Sequence, residues 1–440
     1  MNFTFSSRGP SWANACVGNN GDPGYYEYSK GYSMSAKLIL EKVLEDHGVD
    51  SEFHIYPACF CIRHSVELRL KHSIEKISKI YKIKSTTISF DYSRSHDIKS
   101  IWEFFKEASN KLDDRYKDEI SSIENVILDI ADIDPTGQTF RYPKNLNSKK
   151  HLRETGGLIN CLNLFRVFSD LESRLDHLDR LNSYLIDEYG MESFTKNLSR
   201  KKIFEIAELL PKKDHWNLDT FSESKKEIAK KYQISNRELS KAIDIIKNHF
   251  EMAPCAHIKL EPLGVNEQNI IEILDFWVQL YPDHKKSGFK SYSVTDDAQE
   301  VLDRIFDRNQ KMKEINETLE NSFTKDATAG ISALFHFGYS PVFSESYIHE
   351  YKSKIREISA NKNNGDFIRS EIEHILNKTN FLKNILKSIK FLGFNELARK
   401  IILRYDYNQD QERSIGDSDE DVDRWLDDAI VNAGRTSGQG

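Results

Sequence analysis

Glycine and proline are scarce in this chain, 20 and 10 among 440 residues. An all-β protein of this length needs more of both at its turns, so their scarcity favours helices. Cysteine is scarcer still: Cys16, Cys59, Cys61, Cys161 and Cys255 are odd in number and scattered, which argues against a disulfide framework. Neither Cys59-x-Cys61 nor Cys255-x-His257 has the spacing of a structural zinc site, and no metal or other cofactor is expected. Also missing is any stretch approaching the ~18 uncharged apolar residues of a membrane span. The start, MNFTFSSRGPSWANACVG, has no basic region followed by an apolar core. A cytoplasmic protein with no membrane partner is the expectation. No Walker A loop, GxGxxG, GxSxG or HExxH motif occurs, so nucleotide hydrolysis, dehydrogenase, esterase and zinc-protease chemistry lack support.

What is present is a polar, globular composition, 39% hydrophobic and 30% charged. The net charge of -7 is unevenly spread. Asp406 to Asp428 holds ten Asp/Glu against Arg413 and Arg424, a local -8, which leaves +1 for everything else. The body of the chain is therefore compatible with a polyanionic partner, and residues 406–440 read as an acidic, disordered tail. Within that tail Trp425 and Leu426 offer an apolar anchor for docking on a basic surface.

Residues 1–30, rich in Gly, Ser, Asn and Tyr without periodicity, read as an irregular arm. From Tyr32 the pattern is helical almost throughout, predicting an all-α, multi-helix bundle divided into regions 31–190 and 191–405. SAKLILEKVLEDHG reads as an amphipathic helix closed by Gly48, and Pro57 reads as the first-turn proline of the next, running to about residue 80. Ser95 or Asp97 is placed to cap HDIKSIWEFFKEASNKL.

The helix PACFCIRHSVELRLKHSIEKI carries an ionic stripe. At 100° per residue Glu67 falls about 40° and Lys71 about 80° from Arg63, with Val66, Leu70, Ile74 and Ile77 beside them and Leu68 and Cys61 opposite. A helix apolar nearly all round is buried, so Arg63 and Glu67 are expected inside, paired at i, i+4. The pair is read either as a structural salt bridge or as a site in which Glu67 holds Arg63 while His64, His72 or His96 titrates. Lys71 is then a candidate contact for nucleic acid.

These residues carry a likeness. RHSVELRLKH at 63–72, followed by SHDIKSIWEFF, resembles the HEPN-like helical proteins of bacteria and archaea. TFRYP at 139–143, LSRKKIFEIAELLP at 198–211, the stretch from KKYQIS to NHFEMA, and ALFHFGYS at 333–340 extend the resemblance to one widespread bacterial family. It implies a HEPN-like core at 31–190 and an RNA-directed effector in a toxin, stress or phage-defence (antiviral) setting, acting as a homodimer. HEPN ribonucleases cut RNA without metal, His handling a proton and Arg stabilising charge on phosphorus. Carried over, the resemblance implies Arg63 and a partner histidine, His96, as catalytic residues, and the reading of the stripe adds His64 and Glu67 to the candidate catalytic set. The usual spacing is Arg-x4-6-His, which Arg63 to His72 exceeds, so the pairing requires proximity between helices. His96 is preferred because a predicted helix start places free N–H groups near it for a phosphate. The alternative is a catalytically silent scaffold that binds nucleic acid or a protein partner.

Two further segments stand out. Arg369-Ser-Glu-Ile-Glu-His374 has the Arg-x4-His spacing and makes Arg369 and His374 an alternative catalytic pair, although Glu371 and Glu373 oppose RNA there. Residues 222–250 have a helix-turn-helix pattern, with Ser235 as N-cap and Leu239, Ala242 and Ile243 inward. Arg237 and Lys241 are then exposed for nucleic acid, and Gln233 stands where a turn glycine is usual.

Overall fold

The computed structural model describes residues 4–18, 21–144, 150–152, 157–282, 298–319, 323–361 and 364–407. Among them are fifteen α-helices and no β-strand. The chain is all-α, as the turn-poor composition requires. It divides into two compact units, residues 1–203 and 204–440. Helix α6 (Arg200–Leu209) begins in the first and ends in the second.

The first unit contains α1 (Tyr25–Glu45), α2 (Ser51–Ile83), α3 (Ile98–Leu112), α4 (Tyr116–Ile133) and α5 (Cys161–Gly190). Helix α2 is the axis and packs against α1, α3 and α5. Its Ile62, Val66, Leu70, Ile74, Ile77 and Ile80 join Trp102 and Phe105 of α3, Ile123 of α4 and Leu178 of α5 in one core. Burying each such side chain contributes about 1.5–3 kcal/mol. Helix α3 forms where Ile98, Ile101, Trp102, Phe105 and Leu112 recur at helical spacing, and Asp97 caps it by accepting from the Lys99 amide at 3.0 Å. The α1–α5 seam is ionic: Lys30 reaches Glu172 at 3.2 Å and Asp176 at 2.9 Å, and Asp176 also takes Arg69 of α2.

Two expected boundaries move. Helix α1 starts at Tyr25, inside the stretch read as an irregular arm, because the Gly24 amide donates to Glu27 Oε2 at 2.8 Å and so closes the first turn. Helix α2 starts at Ser51, which puts Pro57 within it rather than at its first turn. The close of α1 is as read: Gly48 takes φ +83° and its amide donates to the Val43 carbonyl at 2.8 Å.

The second unit holds α7 (Asp219–Lys231), α8 (Asn236–Lys247), α9 (Glu267–Leu280), α10 (Ala298–Leu319), α11 (Lys325–Phe337), α12 (Ser344–Ala360), α13 (Asn364–Leu376), α14 (Phe381–Phe391) and α15 (Asn395–Tyr405). Here α11 is the axis, buried from Ala327 through Phe335. Small residues on it admit neighbouring backbone, since a Cβ on Gly330 would lie 2.3 Å from the Leu263 carbonyl oxygen. Tail residues 408–440, with Trp425 and Leu426, lie outside the described residues.

Candidate functional site

Arg63, Glu67 and Lys71 lie one turn apart on α2 and are 2%, 1% and 3% exposed. The ionic stripe is thus buried, as apolar neighbours on every side dictate. Glu67 is its centre. Oε2 accepts from Arg63 NH1, while Oε1 lies 2.9 Å from Lys71 Nζ and accepts from His96 Nδ1 at 3.0 Å. Burial pushes the Glu67 carboxyl up, but hydrogen bonds and charge from Lys71 and Arg63 outweigh it and hold the group below its ordinary value.

Arg63 is held chiefly by backbone carbonyls. Nε donates to the Asp134 carbonyl at 3.1 Å, and NH2 donates to the carbonyls of Pro135, at 3.0 Å, and His96. Four of its five N–H groups are thereby used, counting the bond to Glu67. Gly137 packs on the guanidinium with φ +77°, and a Cβ there would stand 3.2 Å from NH1. Arg63 also lines a cavity of about 410 Å³ whose remaining walls are chiefly apolar, among them Ile62, Ile130, Phe140 and Phe168. Its role here is to tie the loop after α4 and the entry to α3 onto α2, which positions His96. Stabilising charge on a bound phosphorus, the role expected from the resemblance, needs donors, and Arg63 is buried with four of its five already committed.

His96 is the open member of the group. Its side chain is 65% exposed, and donation from Nδ1 to the Glu67 carboxylate leaves Nε2 as the proton-accepting atom. His64 Nδ1 stands 4.0 Å from Glu67 Oε2. Its ring meets Tyr32 edge-on at 4.5 Å between centroids and stacks on Phe60 at 5.6 Å. Burial lowers the His64 pKa; Glu67 opposes that, and Arg63, Lys71 and Arg141 reinforce it. His72 turns to another partner, Asp179 Oδ1 at 2.9 Å.

Sequence reasoning passed over Arg141. It is exposed, lies 5.3 Å over the Phe60 ring and is close enough to His64 to bear on its charge. The one signal was its place in the TFRYP segment.

Two expectations need correction. Lys71 is not a surface contact for nucleic acid, because it is buried against Glu67 and donates to the Ser93 carbonyl at 3.4 Å. The start of α3 is not an open phosphate cradle either. The Asp97 carboxylate takes the Lys99 amide at 3.0 Å and the Ser100 hydroxyl at 2.7 Å, and the Ile98 amide donates to Pro135 O at 3.2 Å.

In the second unit, Arg369 is half-buried and His374 exposed on α13. Glu371 between them takes the Ser332 hydroxyl and pairs with Lys354 at 3.1 Å, so it serves packing between α11, α12 and α13. His336 stands 4.0 Å from the same carboxylate, and burial lowers its pKa. The α7–α8 hairpin forms as the sequence indicates. Ser235 Oγ accepts from the Glu238 amide at 3.2 Å, Leu239, Ala242 and Ile243 are buried, and Arg237 and Lys241 are exposed. Gln233 adopts φ +53°, the left-handed conformation for which glycine is the usual choice.

Among the described residues, His249, Glu251 and Glu345 bring potential metal-ligand atoms within 4.8 Å of one another. Their hydrogen bonding fits a buried His–Glu pair better than a metal. His249 Nδ1 accepts from the amides of Glu251 at 3.2 Å and Met252 at 3.3 Å, which puts the proton on Nε2, 2.8 Å from Glu345 Oε1. A metal on Nε2 needs the reverse tautomer, with Nδ1 donating. Burial pushes the Cys59 thiol up to about 12 and raises Cys255, so both stay protonated at neutral pH.

No family model, curated protein or solved structure matches the chain.

Proposed function

We propose that the protein is a HEPN-like RNA-directed effector whose first unit cleaves RNA without a metal. The observation that carries this reading is the exposed His96, held through Nδ1 by the buried Glu67 carboxylate. In this reading Nε2 removes the proton from a ribose 2′-hydroxyl, and the 2′-oxygen attacks the adjacent phosphorus. The P–O5′ bond breaks, the 5′-oxygen leaves with a proton from water, and the other product ends in a 2′,3′-cyclic phosphate. Arg141 supplies the positive charge beside the phosphoryl group, since Arg63 is committed to carbonyls. Glu67 and Arg63 are positioning residues, and His64 with Phe60 and Tyr32 forms the wall against which a base rests. The homodimer and the toxin, stress or defence setting follow from the family resemblance alone.

A second reading, a catalytically silent scaffold binding nucleic acid or protein, is favoured by the burial of Arg63 and the commitment of four of its five N–H groups. Incubation of RNA with the protein in EDTA separates the two. New 2′,3′-cyclic phosphate ends support the nuclease, whereas intact RNA at high protein concentration supports the scaffold.

A further inference from the structure

The turn that enters α7 presents an unusual group of cations. Trp216 and Phe221 stack face to face, with centroids 4.9 Å apart and planes 7° from parallel. Trp216 Nε1 donates to the Pro211 carbonyl at 2.8 Å, which fixes the ring. Three ammonium groups from different elements converge on this stack. Lys213, in the 3-10 turn Lys213–His215, lies 4.1 Å over the Trp216 ring, and Lys247 at the end of α8 lies 5.7 Å from it. Lys225 of α7 is 4.8 Å over Phe221. Lys247 is neutralised by Asp244 at 2.9 Å, but among the described residues no carboxylate pairs with Lys213 or Lys225. Residues 225–247 hold seven Lys/Arg against three acids.

Ordinary packing explains one lysine over an aromatic ring. It does not explain why two uncompensated ammonium groups cap a half-buried, orientation-locked pair of rings. Unpaired cations beside aromatic faces are what a flexible polyanion with stackable bases requires: phosphates meet the ammonium groups, and an unpaired base takes a ring face when a lysine swings out. Duplex ends its bases inside the helix and gains only the charge term.

We propose that the Trp216–Phe221 stack with Lys213 and Lys225 is a docking surface for single-stranded RNA. The proposal rests on the RNA-directed reading for its choice of ligand, but it does not depend on cleavage at His96.

The test uses the full chain and a fluorescein-labelled, fully 2′-O-methylated 12-mer, which cannot be cut by 2′-oxygen attack. Anisotropy is followed from low to moderate salt. Wild type should bind the single strand more tightly than the corresponding duplex. Lys213→Ala with Lys225→Ala should weaken binding at least tenfold and reduce the log–log salt slope by about 1.4, the release expected for two single-strand phosphate contacts. Trp216→Ala should weaken binding with little change in that slope, while Lys259→Ala, an exposed lysine elsewhere in the second unit, should leave affinity unchanged. Circular dichroism confirms that each variant is folded. No binding by wild type, equal affinity of the double lysine variant, or tighter binding of duplex each overturns the proposal. Because the probe is uncleavable, a negative result here leaves the cleavage assay unaffected, and the converse holds.

Discussion

Arg63 Nε donates to the carbonyl oxygen of Asp134, a residue 71 positions away, at 3.1 Å. That bond, with those to Pro135 and His96, makes one guanidinium the junction of α2, the end of α4 and the start of α3. Three helices of the first unit, α2, α3 and α4, are therefore tied at a buried charge whose partners are mostly backbone, and His96 inherits its position from this junction.

Removing the guanidinium alone takes from the buried Glu67 one of its two cations, leaving Lys71, and strands three carbonyls. Arg63→Ala should cost about 3–5 kcal/mol, the usual penalty for breaking a buried pair. Arg63→Met combined with Glu67→Leu and Lys71→Met leaves no unpaired charge in the buried stripe and should lose markedly less. Urea unfolding followed by circular dichroism measures both, and equal losses would show that the Arg63–Glu67 pairing is not what matters.

Gly137 should tolerate no side chain. Alanine there meets the guanidinium and must hold φ +77°, a left-handed conformation that costs an L-residue about 1–2 kcal/mol. Gly137→Ala should lower the melting temperature. An unchanged melting temperature would mean that the loop after α4 relaxes without disturbing Arg63.

Acid should loosen the α1–α5 seam. Burial raises the Glu172 carboxyl, but hydrogen bonds from Lys37, Ser33 and Lys30 overcome it and push the group down to about 2. Its folded value lies below the ordinary 4.5, so the unfolded chain binds the extra proton in that window. The stabilisation is complete above about pH 4.5 and disappears as pH falls toward 2. Glu172→Gln should flatten the fall of the urea midpoint over that range, and parallel curves for variant and wild type would refute the assignment.

The α7–α8 turn offers a stabilising change. Gln233→Gly relieves a left-handed glutamine and should gain up to about 1 kcal/mol, whereas Ser235→Ala loses an N-cap and should cost about 1 kcal/mol. Both effects are read from thermal unfolding, and a destabilising Gln233→Gly would show that the glutamine side chain contributes more than its backbone costs.

Much of this was legible along the chain because it is local. Apolar residues on all sides of α2 announced that Arg63 and Glu67 are buried, and Gly48 and Asp97 announced a helix end and a helix start. Contacts made at long sequence separation were not legible. Nothing in RHSVELRLKH says that Arg63 will spend its donors on carbonyls of residues 96, 134 and 135, so a charge-stabilising role looked open to it. Pro57 was misleading for a local reason, since a proline near a helix start does not say how many residues precede it. Arg141 sits in a loop with no periodicity, and only the fold sets it beside Phe60 and His64.

The most direct measurement compares metal-free cleavage of RNA in EDTA by wild type, His96→Ala, Arg141→Ala and the pair Arg369→Ala with His374→Ala, each checked for an intact fold by circular dichroism. Wild type should release 2′,3′-cyclic phosphate ends, His96→Ala should abolish release, Arg141→Ala should reduce it by at least tenfold, and the Arg369/His374 variant should cut like wild type. Full activity in a folded His96→Ala protein, or loss confined to the Arg369/His374 variant, would contradict the account and move the chemistry to the second unit.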